Sequence, residues 1–132
     1  MNNVLNIGEK ATQSKIFTEE EVLQFSRLSL DQNPIHIDEE FAKTTIFGKR
    51  IVHGMLVASL FSGILGEKLP GKGTIYLGQK LAFKGPVFIG EKITASVEIT
   101  HIREDKPIIT LKTLCINSKG KVVIEGDAVV KV

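Results

Sequence analysis

Gly54-Met55-Leu56-Val57-Ala58-Ser59-Leu60-Phe61-Ser62-Gly63-Ile64-Leu65-Gly66-Glu67-Lys68 is the stretch whose reading decides the fold. Met55, Leu56, Val57, Ala58, Leu60, Phe61, Ile64 and Leu65 cover nearly every side of a helix drawn over it. A helix that is apolar all round is a buried helix. The apolar run is far shorter than the ~20 residues a membrane span needs. The expectation is one long helix inside a globular protein. Ser59, Ser62, Gly63 and Gly66 recur at three-to-four spacing and share one strip of that helix.

Working outward, Leu69-Pro70-Gly71-Lys72-Gly73 breaks the helix, and strands follow. Residues 74–83 make the first, ending before Gly85-Pro86. Ile93, Ala95, Val97 and Ile99 alternate with Thr94, Ser96, Glu98 and Thr100, a period of two that buries one face of a sheet. Residues 108–116 and 122–130 read as two more strands, joined by a hairpin at Asn117-Ser118-Lys119-Gly120. Upstream of the helix, residues 13–17 read as a short strand. Thr18, three residues before Glu21, starts a helix with a capping box. Val22, Phe25 and Leu28 should face inward from it, and it should stop near residues 28–30. A second helical piece starts at Asp38 and carries Phe41 and Ala42, and residues 44–50 form a polar connector. Strands grouped around one helix, without strand–helix alternation, point to an α+β fold with an antiparallel sheet. Such a small sheet leaves edges that dimer pairing would cover.

At 132 residues the chain is read as one domain, able to bury about two thirds of its unfolded surface. A net charge of +2 does not point to nucleic acid. Cys115 is the only cysteine, which excludes an internal disulfide and suits a reducing compartment; its apolar strand favours a packed thiol over a nucleophile. The start, Met1-Asn2-Asn3-Val4-Leu5-Asn6, shows no leader pattern, so a cytoplasmic protein with no membrane partner is expected.

The chemistry concentrates in Asp31-Gln32-Asn33-Pro34-Ile35-His36. Proline fixes its own φ and pushes the preceding residue out of the helical region, so the chain must turn here. The turn can aim an acid and an imidazole at one point, and a carboxylate and an imidazole on one water form a general acid–base pair. A plain turn is the competing reading, since Asp, Asn and Pro are common turn formers.

Phe25-Ser26-Arg27-Leu28-Ser29-Leu30 leads into that segment, and Ala42 follows six residues after His36. This run resembles the signature of the MaoC-like, R-specific enoyl-CoA hydratases (hydratase 2 type) of the hot-dog superfamily. The resemblance extends through Val52-His53-Gly54-Met55 and the strand-rich second half. One departure stands out: the family usually has Gly just before the Asp, and this chain has Leu30. The resemblance implies a curved antiparallel sheet wrapped around one long helix, a homodimer, and reversible hydration of trans-2-enoyl-CoA to (R)-3-hydroxyacyl-CoA.

That reaction deprotonates a water, delivers a proton to Cα and stabilises a thioester oxygen. Asp31 is read as the base, and His36 as the group that orients the water and donates. Gly54 opens the long helix, where unpaired N–H groups and the dipole favour negative charge and the missing side chain permits close approach. The resemblance also places an oxyanion contact there. An oxyanion donor is commonly worth about 10²–10³ in rate. Ser62, Asn33, Leu30 and Met55 are read as substrate-contacting positions, although a Ser62 hydroxyl bonded back to the i−4 carbonyl is equally open. The small-residue strip either lets the helix approach the sheet closely or leaves room for an acyl chain. His53 is read as holding the helix start, and His101 as solvated. No His, Cys, Asp or Glu set has metal-ligand spacing, so neither metal nor other cofactor is expected. Lys49, Arg50, Lys72, Lys80 and Lys84 are candidates for a basic rim that meets coenzyme A phosphates or an acidic acyl carrier protein. The alternatives are a 3-hydroxyacyl-carrier-protein dehydratase, a thioesterase, or a non-catalytic acyl-CoA-binding module.

Overall fold

The computed structural model describes residues 4–132; Met1 to Asn3, part of the stretch read for a leader, lie outside the described residues. In chain order the elements are β1 (Lys10–Ile16), α1 (Glu19–Ser29), α2 (Pro34–Ile37), α3 (Glu39–Lys43), α4 (Gly54–Glu67), β2 (Ile75–Phe83), β3 (Lys92–Ile102), β4 (Ile108–Ile116) and β5 (Val122–Lys131). The five strands form one sheet in the order β1-β3-β4-β5-β2, with every neighbouring pair antiparallel. α4 packs on this sheet and touches β1, β2 and β3, so it meets both edge strands and an interior one. This is the α+β hot-dog arrangement of one sheet around one long helix. Among the described residues, no helix is long and apolar enough to cross a membrane.

The alternation in β3 sets the core. Ile93, Ala95, Val97 and Ile99 are shut off from solvent, while Thr94, Ser96 and Glu98 are partly exposed. Ile109, Leu111 and Cys115 of β4 add to the same core, which Val57, Phe61, Ile64 and Leu65 of α4 close. Each Val, Leu, Ile or Phe side chain among them contributes about 1.5–3 kcal/mol by leaving water. Burial pushes the Cys115 thiol up to about 12, as suits a packed core thiol.

Two expectations about helices need correction. α4 is not buried all round: Met55, Ser59, Ser62, Gly63 and Gly66 are exposed along one side. A Cβ added at Gly63 or Gly66 would meet nothing, so these glycines do not serve close approach to the sheet within the chain. In α1, Leu28 is 85% exposed, while Val22 and Ser26 are buried. Residues 22 and 26 stack one turn apart on the inner face, and Leu28 lies beyond it, where the chain leaves for the Asp31 turn. The capping box forms as expected, with Thr18 Oγ1 accepting from the Glu21 N–H and Glu21 accepting from the Thr18 N–H.

The sequence reading missed Gly126. A Cβ there would sit 1.8 Å from the Lys80 carbonyl oxygen of β2. β5 and β2 therefore approach at this point only because residue 126 has no side chain. Gly126→Ala is expected to lower the unfolding free energy by about 3 kcal/mol through overpacking. Gly78→Ala, in a position where an added Cβ meets nothing, should cost far less. Urea unfolding of the two variants checks this.

Candidate active site

α1 ends at Leu30, whose φ of 65° is left-handed. A left-handed conformation costs a non-glycine residue roughly 1–2 kcal/mol. The turn that follows is held by side chains. Ser29 Oγ donates to the Phe25 carbonyl and accepts from the Asp31 N–H. Asp31 Oδ1 accepts from the Asn33 N–H, and Asn33 Oδ1 accepts from the Ile35 N–H. Asn33 thus caps α2, with Pro34 in its first turn, a place proline suits. α2 itself was not expected from sequence. It carries His36, which is 8% exposed.

His36 Nδ1 donates to the Ile51 carbonyl at 2.7 Å, which leaves a lone pair on Nε2. Its ring stacks on His53, with centroids 3.8 Å apart. His53 Nε2 lies 3.2 Å from the Asp31 carbonyl oxygen and 3.0 Å from Ser26 Oγ. The carbonyl can only accept, so the proton sits on Nε2. Nδ1, buried without a partner, then carries only a lone pair. Phe25 meets the His53 ring edge-on at 4.8 Å. His53 is the N-cap of α4 but makes no capping bond through its side chain. The expected helix-start role is thus its backbone's; its ring instead touches the ring of His36 and the backbone of Asp31. Burial pushes its pKa below the usual imidazole range, against the pull of the hydrogen bond to the Asp31 carbonyl.

Arg50 corrects another expectation. It is no rim cation: its side chain is buried, Nε donates to the His36 carbonyl, and Nη1 pairs with Glu19 at 2.7 Å. It ties α2 to α1.

Asp31, His53, Gly54 and Met55 wall a cavity of about 540 Å³ with Phe47, Phe83 and other mostly apolar residues. The first helical bonds of α4 come from the Leu56 and Val57 N–H groups, leaving the Gly54 N–H outside the ladder. A Cβ on Gly54 would come within 2.6 Å of the Phe83 ring. Ser62 does not reach this cavity. It lines a neighbouring one of about 450 Å³ with Tyr76 and Leu77, and Met55 borders both. Leu30, 84% exposed, and Asn33 are outside both walls. Phe83, at the end of a strand, carried no signal in the sequence beyond its place before Gly85-Pro86.

Asp31, His36 and His53 offer atoms that all lie within 4.8 Å of one another; the sequence reading pairs Asp31 with His36, and His53 joins them unexpectedly. An imidazole lone pair lies in its ring plane. Two stacked rings cannot both aim theirs at an ion about 2.1 Å away. The cluster as built suits a water between carboxylate and imidazole, since two hydrogen bonds of about 2.8 Å bridge such a gap.

The fold and this cluster define a MaoC-like protein, and the chain belongs to that family: residues 3–118 match the MaoC like domain. It is 57% identical to the (R)-specific enoyl-CoA hydratase of Aeromonas caviae, over 96% of this chain and 95% of that protein. It is 44% identical to the mitochondrial 3-hydroxyacyl-[acyl-carrier-protein] dehydratase FERN of Solanum lycopersicum, over 96% and 77%. A solved structure of an (R)-hydratase from A. caviae involved in PHA biosynthesis superposes with a TM-score of 0.97 at 56% identity, covering 99% of each chain.

A neutral His53 makes stability depend on pH. The unfolded chain takes up a proton as pH falls through about 6.5, and the folded chain does so only lower. Its contribution is therefore complete above about pH 6.5 and declines as pH drops toward the folded value. Urea midpoints for the native protein should fall between about pH 7.5 and 5.5, and His53→Gln should flatten that slope.

Proposed function

We propose that this chain is an R-specific enoyl-CoA hydratase, adding water reversibly and syn to trans-2-enoyl-CoA, with Asp31, His36 and Gly54 as its catalytic residues. The observation that carries the roles is twofold: the Asp31 carboxylate meets the His36 ring, and Asp31 also walls the cavity where the Gly54 N–H stands outside the helical ladder. The water donates one hydrogen bond to Asp31 and one to Nε2 of His36. Asp31 takes its proton as the oxygen attacks Cβ. Electron density moves through Cα onto the thioester oxygen, where the Gly54 N–H and the α4 dipole stabilise it. Asp31 then hands that proton to Cα on the same face, while Nε2 of His36 holds the oxygen in place. With its Nδ1 proton held by the Ile51 carbonyl, His36 meets the water first as an acceptor. It donates only after a proton has reached Nε2. The proton leaving the water equals the proton gained by Cα, so the pair ends as it began.

The acyl chain is proposed to pass Met55 toward the second cavity, where Ser62 contributes a hydroxyl. Ile75, Leu77 and Phe83 on edge strand β2 and Met55 on α4 are large and exposed. A second copy of the chain covering that edge suits both the apolar surface and the unpaired strand, so a homodimer is proposed. The reading takes residues 1–132 as one MaoC-like domain, working in the cytoplasm. A carrier-protein-linked substrate is the second reading, favoured by the identity to the tomato dehydratase.

Native protein added to crotonyl-CoA should remove the enoyl-thioester absorbance and yield (R)-3-hydroxybutyryl-CoA. Asp31→Asn and His36→Ala should each lower kcat by about 10²–10⁴ while the protein stays folded. Full activity in either variant would refute that residue's role. His53→Ala should lower kcat by about 10–100-fold, because the His36 ring loses its stacking partner.

A further inference from the structure

Lys84, Gly85 and Pro86 wall the candidate cavity on one side and a groove of about 620 Å³ on the other. Three separate segments build that groove. Phe88 pairs with Ile51 in a short bridge, which brings the Lys49 segment alongside. The hairpin between β4 and β5 supplies Lys119 and Lys121, with Asn117 Oδ1 accepting from both of their N–H groups. Val123 is an extra residue in β5, since Cys115 pairs with Ile124 and Ile116 with Val122. This bulge gives Ile124 to the cavity wall and Val123 to the groove. The Lys84 N–H donates to the Val123 carbonyl at 2.8 Å, which fixes the saddle between them.

The groove gathers four ammonium groups, from Lys49, Lys84, Lys119 and Lys121, against one carboxylate, Glu91. That local excess of three is larger than the net charge of +2 carried by the whole chain. Lys84 pairs loosely with Glu125 at 3.5 Å, with both half-exposed. Glu91 is engaged by the Phe88 N–H and the Ser118 hydroxyl. Lys49, Lys119 and Lys121 have no ion-pair partner among the described residues. Lys49 lies over the Phe88 ring, 4.8 Å from its centroid. Like charges collected in a cleft focus a field that draws an anion. Phe88 and Ile89 add apolar wall, as a purine base requires.

We infer that this groove receives the phosphorylated adenosine diphosphate end of the coenzyme A thioester. The pantetheine arm crosses the Lys84-Gly85-Pro86 saddle, and Lys49, Lys119 and Lys121 meet the phosphates. The inference rests on the hydratase reading and deepens it, because it names the carrier. It also revises the basic rim expected from sequence: Lys49 and Lys84 belong to it, Lys119 and Lys121 join them, and Lys72 and Lys80 line neither the cavity nor the groove.

The test compares kcat/KM for crotonyl-CoA with that for crotonyl-pantetheine, which lacks the nucleotide. The native protein should prefer the CoA thioester, and added salt should erode that preference. Lys119→Glu with Lys121→Glu changes two exposed side chains outside the core. This double variant should lose on the order of tenfold of the preference. An unchanged preference, or none in the native protein, would overturn the inference. So would a loss confined to crotonyl-acyl carrier protein, which would assign the groove to a protein carrier. If the native protein hydrated neither small thioester, the hydratase reading would fail by itself. The groove would then be judged by calorimetric binding of CoA against 3′-dephospho-CoA. Selective weakening of CoA binding in the double variant supports it, and equal binding overturns it.

Discussion

Val57, Phe61, Ile64 and Leu65 leave water where α4 meets the sheet, and that burial fixes where the helix begins. His53 and Gly54 stand at that beginning. A shift of the helix by one residue would turn a different side chain to the core and a different N–H to the cavity. The apolar contact therefore positions the polar site beside it, and Val57 itself lines the cavity. Gly126 belongs to the same constraint from the sheet side, since β2 and β5 close together only over a missing side chain.

Around that fixed point, the site is assembled from parts that stabilise one another. The left-handed Leu30 costs energy, and a series of short side-chain bonds from Ser29 to Asn33 offsets it. His53 joins the turn that carries Asp31 to the ring of His36. Arg50 holds the carbonyl of His36 against α1 through Glu19. Most of these links end on backbone, while the His53–His36 stack and the Arg50–Glu19 pair join side chains.

The contrast between α1 and β3 shows how far pattern carries. β3 alternates cleanly because both of its neighbours in the sheet are strands and its side chains must go up or down. In α1 the spacing of Val22, Phe25 and Leu28 promised one inner face, yet Leu28 projects into solvent. Nothing local to Leu28 records that its side of the helix is left uncovered. The exposed strip of α4 has the same origin: composition showed an apolar helix, but only its placement revealed which side the sheet leaves open.

The sequence by itself determined the α+β class, the capping box and the position of the turn. All of these follow from local rules, namely periodicity, proline geometry and side-chain chemistry within a few residues. The tertiary structure alone decided that His53 stacks on His36, that Arg50 is buried rather than facing a ligand, that Ser62 falls in a second cavity, and that lysines 49, 84, 119 and 121 share one groove. Those relations join residues far apart in the chain. Their distances are set by the packing of α4 on the sheet and the bulge in β5, which no window of the sequence contains.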